Sequence, residues 1–169
     1  MKRITLILTF IGMITFQSCT VNEYTDDSLD SDTISAVFEY SNVNFAPNNY
    51  SVLLTYPNPI FPSDMVLIYR LSEVFQGEDV WKPLPETYFF QDGTLDLRYD
   101  FDFTRFDAQI YLEGFDLAGV SPNYRLNQVF RVVVIPAYFG KNSKLNYNDY
   151  KAVAKAFNID ESKVYKIKE

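Results

Sequence analysis

The chain has no histidine and only one cysteine, Cys19, among its 169 residues. Histidine is the commonest general base and a frequent zinc ligand, so its absence excludes the usual acid–base catalyst and most zinc sites. A single cysteine cannot form a disulfide within the chain, and stability must therefore come from packing. The composition favours a protein that is not an enzyme and has no cofactor.

Basic residues are also scarce, with 15 Lys and Arg against 22 Asp and Glu and a formal net charge of −7. Two of the bases, Lys2 and Arg3, lie at the extreme N-terminus. The acidic excess repels phosphate backbones and anionic headgroups, so nucleic acid is not an expected partner.

The first 18 residues have the order of an export signal. Lys2 and Arg3 precede the apolar stretch Ile4 to Phe16. Crossing about 30 Å of hydrocarbon takes about 20 apolar residues, so this stretch is too short for a membrane span. The pattern predicts a lipoprotein signal peptide over residues 1–18.

The signal ends in Phe16-Gln17-Ser18-Cys19, which resembles the lipobox of bacterial lipoproteins. The resemblance implies that Cys19 carries fatty acyl chains such as palmitate and becomes the first residue of the mature chain. The alternative is that Cys19 is a small apolar residue of an anchor helix. We expect lipid anchoring in the outer membrane, at the cell surface or on the periplasmic face.

Residues 19–33 are polar and acidic and contain no base. Low hydrophobicity and like charges oppose packing, so this segment is predicted to be a flexible tether. An acidic stretch behind the cysteine resembles the signal that sends Bacteroidota lipoproteins to the outer face of the outer membrane. A solvated spacer explains the same residues.

Residues 34–169 are predicted to form one β-rich domain. The clearest signal is the turn dipeptide Asp92-Gly93, which precedes a strand that alternates apolar and charged residues. Aromatic residues, 17% of the chain, suit half-buried sheet faces. The apolar face of that strand comprises Leu95, Leu97, Tyr99, Phe101 and Phe103, and the polar face Asp96, Arg98, Asp100 and Asp102.

The overall pattern predicts a mainly β fold, an antiparallel β-sandwich or partly open barrel of about seven strands with one short C-terminal helix. The helix is indicated by Tyr150, Val153, Ala154 and Phe157 at helical spacing. Asn146 or Asn148 is expected to cap its start and Asn158 to end it, before a short edge strand over Val164 to Ile167.

Three residues are weak candidates for ligand contacts. Trp81 could be an exposed platform that stacks on a sugar ring or a peptide; alternatively it is a core or rim residue in a loop that covers a sheet edge. Asp100 and Asp102 could bind calcium with neighbouring acids. Arg98 and Arg105 lie among these acids, which favours surface ion pairs, so no metal is assigned.

Most of the domain resembles a family of small, uncharacterised lipoproteins of flavobacteria and related Bacteroidota. The resemblance implies the location and the β fold, and it carries no activity. It rests on Asp64-Met65-Val66-Leu67-Ile68-Tyr69-Arg70-Leu71, Val80-Trp81-Lys82-Pro83-Leu84-Pro85, Ile110-Tyr111-Leu112-Glu113-Gly114 and Gln128-Val129-Phe130-Arg131-Val132-Val133-Val134-Ile135-Pro136-Ala137.

Two functions are consistent with these patterns. The first is a non-enzymatic binding or structural module at the cell envelope that meets an envelope protein or glycan, which predicts an exposed aromatic patch or an unprotected sheet edge. The alternative is a small carboxylate-dependent glycan hydrolase, which predicts a cleft with two acids, one with a raised pKa.

Overall fold

The structure is a computed structural model that describes residues 35–45, 49–137 and 144–169. The predicted signal peptide 1–18, the predicted tether 19–33 and Cys19 lie outside the described residues. No helix in the described part is long and apolar enough to cross a membrane. That part contains β1 (Ala36–Val43), β2 (Ser51–Thr55), β3 (Met65–Phe75), β4 (Glu78–Pro83), β5 (Glu86–Phe89), β6 (Leu95–Phe103), β7 (Asp107–Gly114), α1 (Pro122–Arg125), β8 (Gln128–Ile135), α2 (Tyr150–Ala156), a 3-10 helix (Glu161–Lys163) and β9 (Tyr165–Lys168).

The strands form two sheets, in the orders β4-β3-β8-β1-β9 and β2-β7-β6-β5. Neighbouring strands are antiparallel except β1 and β9, which are parallel. The prediction of a mainly β fold with a short C-terminal helix is confirmed, and the two sheets do not close into a barrel. The described part has nine strands where about seven are predicted, and β4 is a strand that the sequence pattern does not predict.

The two sheets share one apolar core, and the five-stranded sheet also has a covered outer face. In β8 the side chains of Phe130, Val132 and Val134 enter the core between the sheets, while Val133 and Ile135 pack on the opposite face. This strand is therefore buried on both sides, as its apolar, β-branched sequence favours. From the other strands the core between the sheets receives Tyr40, Leu54, Ile68, Tyr99, Ala108 and Ile110.

Helix α2 covers the outer face of the five-stranded sheet through Tyr150, Val153 and Phe157. Its N-cap is Asp149, which accepts a hydrogen bond from the N–H of Ala152, so the expectation of an asparagine cap was wrong. A carboxylate serves as well as an amide at this position and also suits the helix dipole. Asn158 ends the helix in a left-handed conformation (φ 52°), as predicted.

The sandwich has two opposite ends, which we call the entry end and the far end. At the entry end, β1 begins at Ala36 and Met65 pairs with Ile135. The β2–β3 loop meets the β6–β7 turn there, because the N–H of Ile60 donates to the carbonyl of Arg105. At the far end lie the β3–β4 and β5–β6 hairpins, since β3 starts and β6 finishes at the entry end.

The predicted hairpin at Asp92-Gly93 is confirmed by the antiparallel pairing of β5 with β6. Gly93 has φ 86°, and the N–H of Thr94 donates to the Asp92 carboxylate. A β-carbon at position 93 would meet no atom within 4 Å, so the conformation rather than the available space requires glycine.

We expect Gly93→Ala to lower the free energy of unfolding by about 1–2 kcal/mol, because alanine pays the cost of a positive φ. Urea denaturation measures this change. Gly93→Asn is the matched control and should cost less, since asparagine tolerates the left-handed region. Equal losses from the two substitutions would contradict the conformational explanation.

Candidate ligand-binding groove

The β3–β4 hairpin positions Trp81 beside helix α2. Phe75 pairs with Glu78 across a two-residue loop in which Gln76 and Gly77 have φ values of 53° and 85°. Two consecutive positive φ values are typical of the tight turns that match the twist of a hairpin. Trp81 thus lies on the edge strand β4, so the loop placement that went with the core or rim alternative was wrong.

The indole of Trp81 is half-buried and packs against the outer-face cluster under α2. The guanidinium carbon of Arg131 lies 4.2 Å from the centre of the indole ring system and 5.0 Å from the ring centre of Tyr150. The rings of Trp81 and Tyr150 lie 5.8 Å apart. A guanidinium stacked on aromatic faces fixes all three side chains in one arrangement.

Carboxylates hold Arg131 from two directions. Its Nε donates to Glu39 Oε2 (2.9 Å) and its Nη1 to Glu161 Oε2 (2.8 Å). The Tyr150 hydroxyl donates to Glu161 Oε1 at 2.7 Å. Burial raises the pKa of Tyr150 well above its ordinary value, and the bond to Glu161 acts in the same direction. The hydroxyl therefore stays a neutral hydrogen-bond donor at physiological pH.

These residues line an open groove between the β3–β4 hairpin and α2, which we call the Trp81 groove. It consists of two adjoining depressions of about 470 and 460 Å³ that share Glu78, Asp79, Trp81, Tyr150 and Lys151. Arg131 and Glu161 line the first of them. Each volume lies within the range of small-molecule binding sites.

A salt bridge crosses the rim of the Trp81 groove. Lys151 Nζ on α2 lies 3.3 Å from Glu78 Oε2 on the hairpin, and both side chains are about three-quarters exposed (75% and 73%). An ion pair that exposed contributes little stability, so a ligand can displace it at low cost. The inner pair between Glu39 and Arg131 is largely buried and stays fixed.

The groove therefore combines a flat apolar surface with fixed polar groups. Trp81 supplies the apolar surface, and Arg131, Glu161 and Tyr150 supply oriented donors and acceptors. Known protein families, curated proteins and solved structures were compared with the chain, and none matched. The chemistry of this groove and the N-terminal sequence are accordingly the basis for inferring a function.

The structure does not bring Asp100 and Asp102 to the Trp81 groove. Both lie on the polar face of β6, which belongs to the four-stranded sheet. Asp100 is ion-paired with Arg98, and its carboxylate also accepts the N–H of Phe101. The described residues contain no group of three or more acidic side chains that could hold a metal ion.

A hydrolase of the kind considered above needs a carboxyl group with a raised pKa. The pKa values of Asp92 and Asp160 are instead lowered, chiefly by hydrogen bonds from Thr94 and Ser162 respectively. Glu86 also has a lowered pKa. No described residue is assigned to hydrolysis, and that alternative stays a prediction.

A second polar cluster lies inside the sandwich, around Arg70 of β3. Its Nε donates to Glu86 Oε2 (2.8 Å) and its Nη1 to Gln128 Oε1 (3.0 Å). Tyr88 donates to Glu86, and the guanidinium carbon of Arg70 lies 4.7 Å from the ring centre of Tyr99. This network joins the two sheets through buried, charge-assisted hydrogen bonds.

The sequence analysis did not identify Arg131, Tyr150 or Glu161 as neighbours of Trp81. One signal was available, because Arg131 is the only charge in β8 and Arg70 is the only charge in the apolar first part of β3, Met65 to Leu71. A buried arginine requires carboxylate partners, which marks both positions for attention. The partners themselves come from distant strands and from the C-terminal segment, which local patterns do not reveal.

Glu86 provides a pH-dependent test of the inner network. Burial acts to raise its pKa, but hydrogen bonds from Arg70 and Tyr88 and the guanidinium charge outweigh this effect. The pKa in the folded state therefore lies below the unfolded value of about 4.3. The stabilisation is fully present above pH 4.3 or so and is lost as the pH falls through the lowered pKa.

We expect Glu86→Gln to reduce the free energy of unfolding at pH 7 by about 1–3 kcal/mol. The difference from the parent chain should narrow as the pH falls below about 4, because the parent's carboxylate then becomes protonated. Urea denaturation between pH 7 and 3 measures it. Glu73→Gln, at an exposed position, is the control and should change little. A difference in the free energy of unfolding that does not vary with pH would contradict a stabilising role of the ionised Glu86 carboxylate.

Proposed function

We propose that this chain is an outer-membrane lipoprotein whose β domain is a non-enzymatic binding module, with its ligand site in the Trp81 groove. The observation that carries the proposal is the half-buried indole of Trp81, which lines an open groove together with the fixed polar groups of Arg131, Tyr150 and Glu161. Such a combination is typical of sites that bind ligands, because the apolar surface supplies affinity and the polar groups fix orientation.

A neutral glycan is the ligand class that this chemistry favours. The C–H face of a sugar ring packs on an indole, and its hydroxyl groups pair with carboxylates, guanidinium and phenol groups. The cations Arg131 and Lys151 are already paired with Glu39, Glu161 and Glu78, so no uncompensated positive charge selects an anion.

A protein strand added to a sheet edge is the less favoured mode. The edge strands β4, β2, β5 and β9 have six, five, four and four residues, whereas β3 has eleven. Short edges offer few backbone groups to an added strand. Recognition through side chains in the Trp81 groove is therefore favoured over β-augmentation.

The N-terminal sequence supports lipid anchoring, and the position of the Trp81 groove supports its accessibility to ligands. The lipobox-like segment ending at Cys19 and the resemblance to Bacteroidota lipoproteins point to the same location. The groove borders Gly77 and Glu78 at the far-end hairpin, whereas β1, the first described strand, begins at the entry end. A lipid anchor on this tether would leave the groove accessible to ligands.

The anchor predicts acylation of Cys19. We expect mass spectrometry of the protein from its native membrane to find fatty acyl groups on Cys19 as the first residue. Cys19→Ala should abolish both acylation and cleavage in front of residue 19.

A membrane-impermeant protease applied to intact cells tests the membrane face in the same strains. Digestion without lysis is expected if the acidic tether directs surface display. Protection until lysis would contradict display and restrict the domain to the periplasmic side. An unmodified, uncleaved Cys19 in the parent chain would overturn the anchor itself.

Ligand binding can be read directly because Trp81 is the only tryptophan in the chain. We expect cellohexaose, laminarihexaose or mannopentaose to change its fluorescence saturably and to shield it from acrylamide. Ala154→Gln, which places a longer side chain in the groove, should weaken the response about tenfold or more, or roughly 1.4 kcal/mol.

Ala156→Gln is the matched control, because it makes the same change on α2 at an exposed position. It should leave binding unchanged. Equal weakening by the two substitutions, or no response to any of the three oligosaccharides, would contradict a glycan site in the Trp81 groove.

A further inference from the structure

The entry end carries four partly exposed apolar side chains, which we call the entry-end patch. It comprises Phe61, Met65, Phe103 and Phe106, with exposures of 44%, 36%, 43% and 57%. Scattered single apolar residues are ordinary on a protein surface, and the far end also carries exposed rings, Phe89, Phe90 and Phe115, so exposure alone does not distinguish the two ends.

Hydrogen bonds to backbone carbonyls hold together two of the segments that carry the patch. The N–H of Tyr56 donates to the carbonyl of Phe106, and Arg105 Nε donates to the carbonyl of Ile60. These bonds join the loop that carries Phe61 to the turn that carries Phe106. The same end contains a depression of about 210 Å³ whose lining includes Ala36 and Phe61.

We propose that the entry-end patch rests on the surface of the lipid bilayer that holds the anchor. This inference rests on the proposed lipidation of Cys19. Aromatic side chains are favourable at the boundary between headgroups and hydrocarbon, where a ring is partly withdrawn from water.

The number of residues between Cys19 and the domain favours the bilayer as the surface that the entry-end patch contacts. Residues 19–34 are 16 residues, a length of chain that can span at most about 55 Å. The sandwich is about 35 Å long, judged from the eleven residues of β3. Contact through the entry end uses little of this span, whereas contact through the far end, about 35 Å from the start of β1, needs most of it.

Because the anchor already holds the protein at the membrane, a weak contact between the entry-end patch and the bilayer is enough to orient the domain. Tethering holds the patch near the surface at a high effective concentration, so a few partly exposed rings can dock without the affinity that a free domain would need. Near the patch in sequence, Asp64, Asp102 and Asp107 outnumber the one base, Arg105, and this negative balance favours a zwitterionic lipid surface over an anionic one.

Environment-sensitive labels at the two ends test the proposal in the lipidated mature protein. Acylation occupies the thiol of Cys19, so a cysteine introduced at Asn58 or at Gln91 carries the only free thiol. Both positions are exposed, Asn58 at the entry end and Gln91 at the far end. The probe is the nitrobenzoxadiazole fluorophore, and the surface is a phosphatidylcholine vesicle.

We expect the Asn58→Cys label to shift its emission to shorter wavelength on vesicles and to be quenched by spin-labelled lipid at least about twofold more than the Gln91→Cys label. Phe61→Ser with Phe106→Ser should remove the shift at position 58 while the protein still floats with the vesicles. Phe115→Ser, which removes the most exposed far-end ring (79%), is the matched control and should leave the shift intact. Unfolding midpoints verify that each variant folds.

A water-like signal at position 58 in protein that floats with the vesicles would overturn the proposal and leave the anchor standing. A lipid signal at position 91 would also overturn it, because the far end would then face the bilayer. Protein that does not float would show that the anchor is missing, and the entry-end proposal would fail together with the proposed location.

Discussion

Strand β8 has no face open to water, so each of its faces must be covered by another layer. Val132 and Val134 are covered by the four-stranded sheet, and Val133 and Ile135 lie under helix α2. Because side chains alternate between the two faces of a strand, apolar residues on both faces require a covering layer on each. The central position of β8, the sandwich and the C-terminal helix are all consequences of this constraint.

The same constraint explains the Trp81 groove. Arg131 interrupts the apolar sequence of β8 on its helix-facing side, where a charge without partners would be very costly. Glu39 on the neighbouring strand and Glu161 after α2 compensate it, and Trp81 and Tyr150 cover it. A requirement of folding thus produces a rigid site in which aromatic and charged groups meet beside an open groove.

Local patterns in the sequence predicted those parts of the fold that depend on neighbours along the chain. The Asp92-Gly93 hairpin and the end of α2 at Asn158 follow from conformational preferences of single residues, and both were correct. Strand β4 was missed because its turn has Gln76-Gly77, which lacks the usual asparagine or aspartate. The charged pair Glu78-Asp79 after that turn also hides an edge strand, whose outward residues need no apolar pattern.

The candidate site was predicted only at Trp81, because the remaining groups arrive through pairings between distant segments. The register of β1 against β8 places Glu39 opposite Arg131, and nothing local to either strand specifies that register. The parallel pairing of β9 with β1 likewise joins segments that are distant in the sequence. These contacts depend on how the layers stack around the buried strand β8, and no short sequence motif specifies them.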